Sequence, residues 1–156
     1  MKRKLKPIIV CLLIPLAIGG LGAGLTTGNF EFYKHMERPP LAPPAIAFPI
    51  VWAALYILMG VGSYLVWSTG DERRGNALTV YGVSLLLNFA WPLLFFGARK
   101  YWLAFAVLAA LFVAVIGYSV KFGRLNRAAG LLQLPHNIWL VLAGYLNLWM
   151  AITYGS

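Results

Sequence analysis

The placement of charged residues constrains the fold of this 156-residue chain more than any other feature. The 13 Lys and Arg and the 4 Asp and Glu residues stand in short clusters that long uncharged stretches separate. An α-helix needs about 20 residues to cross roughly 30 Å of hydrocarbon. Five stretches are long enough, and they cover residues 7–30, 39–70, 75–98, 101–120 and 128–156. The pattern predicts an all-α membrane protein, a five-transmembrane-helix bundle.

The composition agrees with this prediction, because 61% hydrophobic and 11% charged residues are too apolar for an ordinary soluble domain. We expect one domain over 1–156, with helices near 7–27, 46–68, 77–98, 102–121 and 129–153. Short later connections make neighbouring helices antiparallel. The longest connection, 28–45, is rich in proline, which stiffens the backbone. We interpret it as a Pro-rich lid loop over the mouth of the bundle.

Lysine and arginine also predict the orientation, since cytoplasmic segments hold them in excess. Nine of the 13 precede the first span or follow the second and fourth spans. This distribution predicts an integral protein of a bacterial-type cell membrane, with the N-terminus cytoplasmic and the C-terminus outside. The net charge of +9 then reflects topology and attraction to anionic lipid, so we expect no nucleic-acid partner.

The five uncharged stretches leave no Asp, Glu, Lys or Arg deep within the membrane, which disfavours a proton-coupled export pump. The single cysteine, Cys11, excludes an internal disulfide and a cysteine-based metal cage. His35 and His136 form no convincing ligand pair, so we predict no metal and no cofactor. His136 is interpreted as a helix-end or interhelical hydrogen-bonding residue in preference to a ligand.

Small residues in the first span predict close helix packing. Gly20 and Gly24 have the spacing that lets two membrane helices approach closely. The partner is either another helix of the same chain or, alternatively, a second copy.

Aromatic residues with polar tips share helical faces in three spans. Trp52 and Tyr56 are four residues apart in the second span, Asn88 and Trp91 share a face of the third, and Trp139, Ala143 and Leu146 or Asn147 share one of the fifth. These tryptophans lie deeper than an interfacial belt requires. We therefore expect them to face the bundle interior.

Asn88 is the most informative single residue in the chain. Pro92, four residues later, cannot donate the helical hydrogen bond to the Asn88 carbonyl. The site therefore offers a side-chain amide and a freed acceptor, for an interhelical bond or for a ligand. Stacking contributes about 0.5–1.5 kcal/mol per aromatic pair and a hydrogen bond about 1 kcal/mol. Together these favour a flat, conjugated ligand over lipid.

Three segments resemble the tryptophan-rich sensory protein / translocator protein family, also called the peripheral-type benzodiazepine receptor family. They read PPAIAFPIVWAALYILMGVGSYLVW, LLLNFAWPLLFFGAR and LLQLPHNIWLVLAGYLN, and they stand in family order. The resemblance implies a five-helix membrane protein, usually a homodimer, that binds porphyrins and synthetic aromatic ligands under the first loop. By position it implies a ligand site of Gly22, Leu25, Tyr33, Phe48, Trp52, Asn88, Trp91, Trp139, Ala143 and Leu146.

The chain departs from the family pattern at two places. Animal members carry a basic residue soon after a tyrosine in the fifth span, but here no Lys or Arg follows Tyr145, so tight sterol binding is not expected. Leu41 stands in the loop where many members place a tryptophan.

Two functions stay open from the sequence. The first is a membrane receptor or transporter-like protein that binds porphyrins. The alternative is a catalyst of light-dependent or oxidative porphyrin degradation, with Trp52 and Trp139 as candidate reactive residues. The residues offer no conventional catalytic constellation for it.

Overall fold

The structure, a computed structural model, describes residues 2–155, with side chains from residue 5 onward. Every regular element in this range is helical. The elements are α1 (Lys2–His35), α2 (Ala47–Ser68), α3 (Arg74–Pro92) with a π-helical turn (Leu93–Gly97), α4 (Tyr101–Leu125), a short α5 (Arg127–Leu131) and α6 (Leu134–Tyr154). The prediction of an all-α chain with five long helices is confirmed.

Four of the described helices are long and apolar enough to cross a membrane: Leu5–His35, Ala47–Ser68, Arg74–Gly97 and Tyr101–Leu125. Helix α6 is not among them, and it carries the polar residues His136, Asn137 and Asn147. Its outer face is nevertheless apolar, and Ile138 is 71% exposed. Large apolar side chains that point outward need an apolar solvent. The protein is therefore an integral membrane protein.

The core lies around α4, which packs between α3 and α6. The buried residues of α4 recur every three or four positions, the spacing of one helical face; among them are Ala104, Leu108, Leu111, Val115, Tyr118 and Phe122. Helix α2 packs mainly on α1. Helix α1 lies at the edge of the bundle, and only 11% of its most apolar window is buried.

The first connection is shorter than predicted. Helix α1 continues to His35, so the loop predicted over 28–45 begins after that residue. The other predicted bounds differ from the observed ones by a few residues, and the observed helices begin at Ala47, Arg74, Tyr101 and Leu134.

Packing explains the longer helix. Phe30 and Tyr33, in the extra turns of α1, enter an aromatic cluster and stack at 6.0 Å between ring centroids. The guanidinium of Arg99 lies 3.8 Å from the centroid of the Phe32 ring, in a cation–π contact. Such contacts outweigh the weak helix propensity of the polar residues before them.

Two glycines allow α1 and α2 to touch. A Cβ atom at Gly60 would lie 2.8 Å from the Cys11 carbonyl oxygen and 2.9 Å from the Leu12 Cα, and one at Gly19 would overlap the Tyr56 ring. Gly20 and Gly24 instead have open space within 4 Å of their Cβ positions. Close packing within the chain thus uses Gly19 and Gly60, and not the pair that the spacing had suggested.

Gly60→Ala should destabilise the protein, although alanine is the better helix former by about 1 kcal/mol. The new methyl group meets backbone atoms that cannot rotate away, and overpacking costs typically about 1–3 kcal/mol. The matched control is Gly82→Ala, in α3, where nothing lies within 4 Å of the new atom. Thermal unfolding in detergent should show a lower midpoint for Gly60→Ala only. Equal midpoints would contradict the close contact.

Candidate functional site

A cavity of about 250 Å³ lies between α1, α2 and α3. The empty space amounts to about 860 Å³ when the open mouth of the cavity is included. Each helix contributes residues of one face, because their spacing is three or four. The lining consists of Gly19, Ala23, Thr26, Thr27, Phe30, Glu31, Phe48, Pro49, Trp52, Tyr56, Asn88, Trp91, Pro92 and Phe96.

Large aromatic rings form one wall of the cavity. The Trp52 ring lies 5.6 Å from the Tyr56 ring and 6.2 Å from the Trp91 ring, with the planes tilted by 30° and 32°. Trp91 stacks in turn on Phe95 at 5.1 Å. The two tilted indoles present apolar ring faces, which suit an aromatic guest.

Asn88 supplies a polar atom in this apolar space. Its side chain is 1% exposed, and its Nδ2 donates to the Ser84 carbonyl at 2.9 Å. Its Oδ1 is buried and has no hydrogen-bond partner among the described residues. A buried acceptor without a partner is costly. Asn88 is therefore a polar residue of the lining whose buried side-chain oxygen has no partner among the described residues.

The π-helical turn follows from Pro92 in α3. Proline has no N–H, which interrupts the helical ladder at this point. The Ala98 amide then donates to the Leu93 carbonyl at 2.8 Å, five residues back. This wider turn brings Phe95 and Phe96 together, with ring centroids 4.9 Å apart, and Phe96 lines the cavity.

Helix α6 fixes the Trp91 ring from behind. The indole Nε1 of Trp91 donates to Asn147 Oδ1 at 2.9 Å, and Asn147 Nδ2 donates to the Tyr101 carbonyl at 2.9 Å. Both bonds are buried. The sequence placed either Leu146 or Asn147 on this face of the fifth span. The anchoring role of Asn147 depends on contacts among α3, α4 and α6, which the sequence pattern does not reveal.

A second buried network supports Trp52. Gln133 Nε2 donates to the Ala129 carbonyl at 3.1 Å, so Gln133 Oε1 accepts from the Tyr118 hydroxyl at 3.0 Å. The Tyr118 oxygen lies 3.3 Å from His136 Nδ1. The imidazole packs edge-on against Trp52 at 5.9 Å. His136 thus makes the interhelical hydrogen bond that was predicted for it.

The structure brings together four of the ten predicted ligand-binding residues. Phe48, Trp52, Asn88 and Trp91 line the cavity, whereas Gly22, Leu25, Tyr33, Trp139, Ala143 and Leu146 do not. Pattern and resemblance therefore located the α2 and α3 walls of the cavity.

The other six residues lie elsewhere for identifiable reasons. Leu25 points outward and is 64% exposed, while Ala143 and Leu146 are buried in the α6 side of the core. Tyr33 lies in the aromatic cluster, 5.9 Å from Phe48. Gly22 lies against Pro92. Their roles in binding stay predictions.

Trp139 does not share a slot with Trp52. Its ring packs edge-on against Phe48 at 5.6 Å, so Phe48 stands between Trp139 and the cavity. Its Nε1 is buried and has no partner among the described residues. Trp139 is not among the residues that line the cavity, and its role in binding stays a prediction.

The α1 wall was predicted with other residues than those observed. The resemblance implied Gly22 and Leu25 for this helix, whereas Gly19, Ala23, Thr26 and Phe30 line the cavity. These four are spaced by three or four residues, which is a usable signal. The first loop, by contrast, contributes no lining residue from 36–46, and the mouth is lined by Thr27 and Glu31 of α1.

Residues that could hold a metal ion do not gather in the described part of the chain. No group of three or more His, Cys, Asp or Glu side chains is close enough there.

The fold and the cavity define a helical membrane protein with an aromatic-walled cavity between three of its helices. The model of the TspO/MBR family matches residues 11–152. The chain belongs to this family, as the resemblance of its three segments had indicated.

Similar proteins come from animals, bacteria and fungi. The chain is 34% identical to the translocator protein of Bos taurus over 145 residues, which are 90% of this chain and 86% of the relative. It is 33% identical to the tryptophan-rich sensory protein of Cereibacter sphaeroides over 83% and 84% of the two chains. It is 36% identical to the translocator protein homolog of Schizosaccharomyces pombe over 87% and 85%.

Asn147→Leu should destabilise the protein by about 1–3 kcal/mol, because it leaves the Trp91 N–H buried without an acceptor. The effect of Asn147→Leu should be smaller in a Trp91→Phe background, where that donor is absent. Chemical or thermal unfolding of the four proteins completes a double-mutant cycle. An equal loss in both backgrounds would mean that the bond between the two side chains contributes nothing.

Proposed function

We propose that this protein binds a porphyrin or another flat aromatic molecule in the cavity between α1, α2 and α3. The observation that carries the proposal is the unpartnered Oδ1 of Asn88 beside the rings of Trp52 and Trp91. The rings supply area for stacking, and a hydrogen bond to the oxygen orients the guest. Four residues contact the guest directly: Phe48, Trp52, Asn88 and Trp91.

The chemistry of the lining favours a guest with a donor group. Asn88 Nδ2 already donates one hydrogen bond within α3, whereas Oδ1 has no partner, so the acceptor is the group that a guest has to satisfy. An N–H group at the centre or edge of a conjugated ring meets this need. Two aromatic contacts and one hydrogen bond together supply a few kcal/mol over lipid, at about 0.5–1.5 and about 1 kcal/mol each.

The mouth offers a place for a charged edge of the guest. Lys34 Nζ pairs with Glu31 at 2.6 Å and lies 5.7 Å from the centroid of the Phe30 ring. Glu31 and Phe30 both line the cavity. A carboxylate on an otherwise apolar guest can exchange partners with this exposed pair. A guest of this kind fills the cavity with its ring and keeps its acid in water.

The names of the relatives, translocator and sensory protein, suggest a receptor or transporter-like role. We extend the proposal to the membrane arrangement. Helix α6 is the fifth span, the N-terminus is cytoplasmic, the C-terminus is outside, and the protein works as a homodimer in a bacterial-type cell membrane. The largely apolar outer face of α6 and the basic clusters support this arrangement.

Binding can be tested by titrating purified protein with protoporphyrin in the dark and following the porphyrin spectrum. Asn88→Leu should weaken binding about five-fold, the value of one hydrogen bond of about 1 kcal/mol. Trp52→Ala should weaken it by about two- to ten-fold through lost stacking. Trp102→Ala, at an exposed position outside the cavity, is the matched control and should bind like the wild type.

Two further arms decide between binding models. Trp139→Phe should have a smaller effect than Trp52→Ala if Trp139 acts from behind Phe48. Repeating the titration under light tests porphyrin degradation, which would bleach the spectrum faster than porphyrin alone. Equal affinity in the wild type, Asn88→Leu and Trp52→Ala would place the guest elsewhere.

Topology is testable with single cysteines in a Cys11→Ser background. A membrane-impermeant thiol reagent applied outside should label Lys100→Cys, between α3 and α4, and a cysteine appended after Ser156. It should not label Gly70→Cys, between α2 and α3, until the membrane is opened. Labelling of the α2–α3 position and of the C-terminus from the same side would contradict a fifth span.

A further inference from the structure

A second cavity, of about 230 Å³, lies at the other end of α3 from the aromatic cavity. It is formed where α3 begins and α4 ends. Half of its six lining residues are basic: the lining consists of Arg73, Asn76, Ala77, Lys121, Arg124 and Leu125. A pocket with this composition attracts anions.

Contacts within the pocket hold its charges in place. Lys121 Nζ donates to Asn76 Oδ1 at 2.6 Å, which ties α4 to α3 across the pocket. Arg73 binds Asp71 through Nε and Nη2, at 3.0 and 2.8 Å. These hydrogen bonds from Arg73 lower the pKa of Asp71 to about 2, so this carboxylate stays ionised and offsets one of the three cations. The two ion pairs found among residues 5–155 leave Arg124 out.

Membrane topology and helix dipoles explain only part of this cluster. Cations near the C-terminal end of α4 are favoured by its dipole, which accounts for Lys121 and Arg124. Arg73, however, lies at the N-terminal end of α3, where the dipole is also positive. The first turn of α3 contains no acidic residue, and the Asp71 carboxylate just before the helix is paired with Arg73. The positive end of the α3 dipole therefore adds to the cations of the pocket.

The surface beneath the pocket is apolar. Ala77 is buried at its floor. Val120 and Val113 on α4 are exposed and lie four and eleven residues before Arg124, on the same face. Val83 on α3 is exposed seven residues after Asn76. An apolar track thus runs from the basic pocket along the membrane-facing side of α3 and α4.

We infer that this pocket binds the phosphate headgroup of an anionic phospholipid, with an acyl chain along the track of Val83, Val113 and Val120. The basic side chains complement the phosphate, and Asn76 adds an amide beside Lys121. A free phosphate ion would use the charges but not the valine track. An uncharged or zwitterionic lipid would use the track but gain less from the charges.

Native mass spectrometry of the purified full chain, with equal amounts of phosphatidylglycerol and phosphatidylcholine in the micelles, tests the inference. Wild-type protein should retain phosphatidylglycerol preferentially. Lys121→Gln and Arg124→Gln should each lower that preference about five-fold, the value of one cationic contact near a headgroup. Arg124→Lys should keep most of it. Arg127→Gln, exposed and outside the pocket, is the matched control and should keep all of it.

Three results would overturn the inference. One is an equal drop in preference for Arg127→Gln and Arg124→Gln, which would mean diffuse attraction to the whole basic end. Another is an unchanged preference in both Lys121→Gln and Arg124→Gln. The third is displacement of phosphatidylglycerol by millimolar inorganic phosphate, which would identify a site for a soluble anion. Thermal midpoints measured alongside ensure that the compared variants are folded.

Discussion

The structure depends on one constraint, which is that a polar group inside hydrocarbon must find its partner within the protein. Helices satisfy the backbone, and the side chains follow the same rule. Thr26 and Ser84 bond to carbonyls of their own helices, whereas Asn147 and Gln133 bridge to other helices. The few groups left over are then informative. Asn88 Oδ1 is one of them, and Asn88 lines a cavity.

The helices were largely predictable because charge is excluded from hydrocarbon and clusters at helix ends. The end of α1 was harder to predict because tertiary contacts determine it. Phe30 and Tyr33 pack against aromatic residues that are distant in sequence, and no local pattern indicates these contacts. The fifth long helix has a related ambiguity. Its polar side chains are the ones that hold the core together, so His136 and Asn147 lower its hydropathy while stabilising the fold.

The candidate site shows what helical periodicity can and cannot reveal. Spacing correctly grouped Trp52 with Tyr56 and Asn88 with Trp91, because a face belongs to one helix. It could not reveal which faces meet. In the structure, the tryptophan of α6 packs against Phe48 and does not line the cavity, whereas small residues of α1 form one of its walls. Glycine and alanine are weak signals because their contribution is space, not contact.

The π-helical turn at Leu93–Gly97 has a consequence for how this chain can vary in length. An α-helix turns by about 100° per residue, so losing one residue here would rotate all that follows. The Ala98-to-Leu93 bond would revert to an α-type bond, and Arg99 would leave the ring of Phe32. A substitution in this turn changes one side chain, but a deletion rotates α4 relative to α3 and so changes which of their faces meet. The segment should therefore accept new residue types far more readily than a missing one.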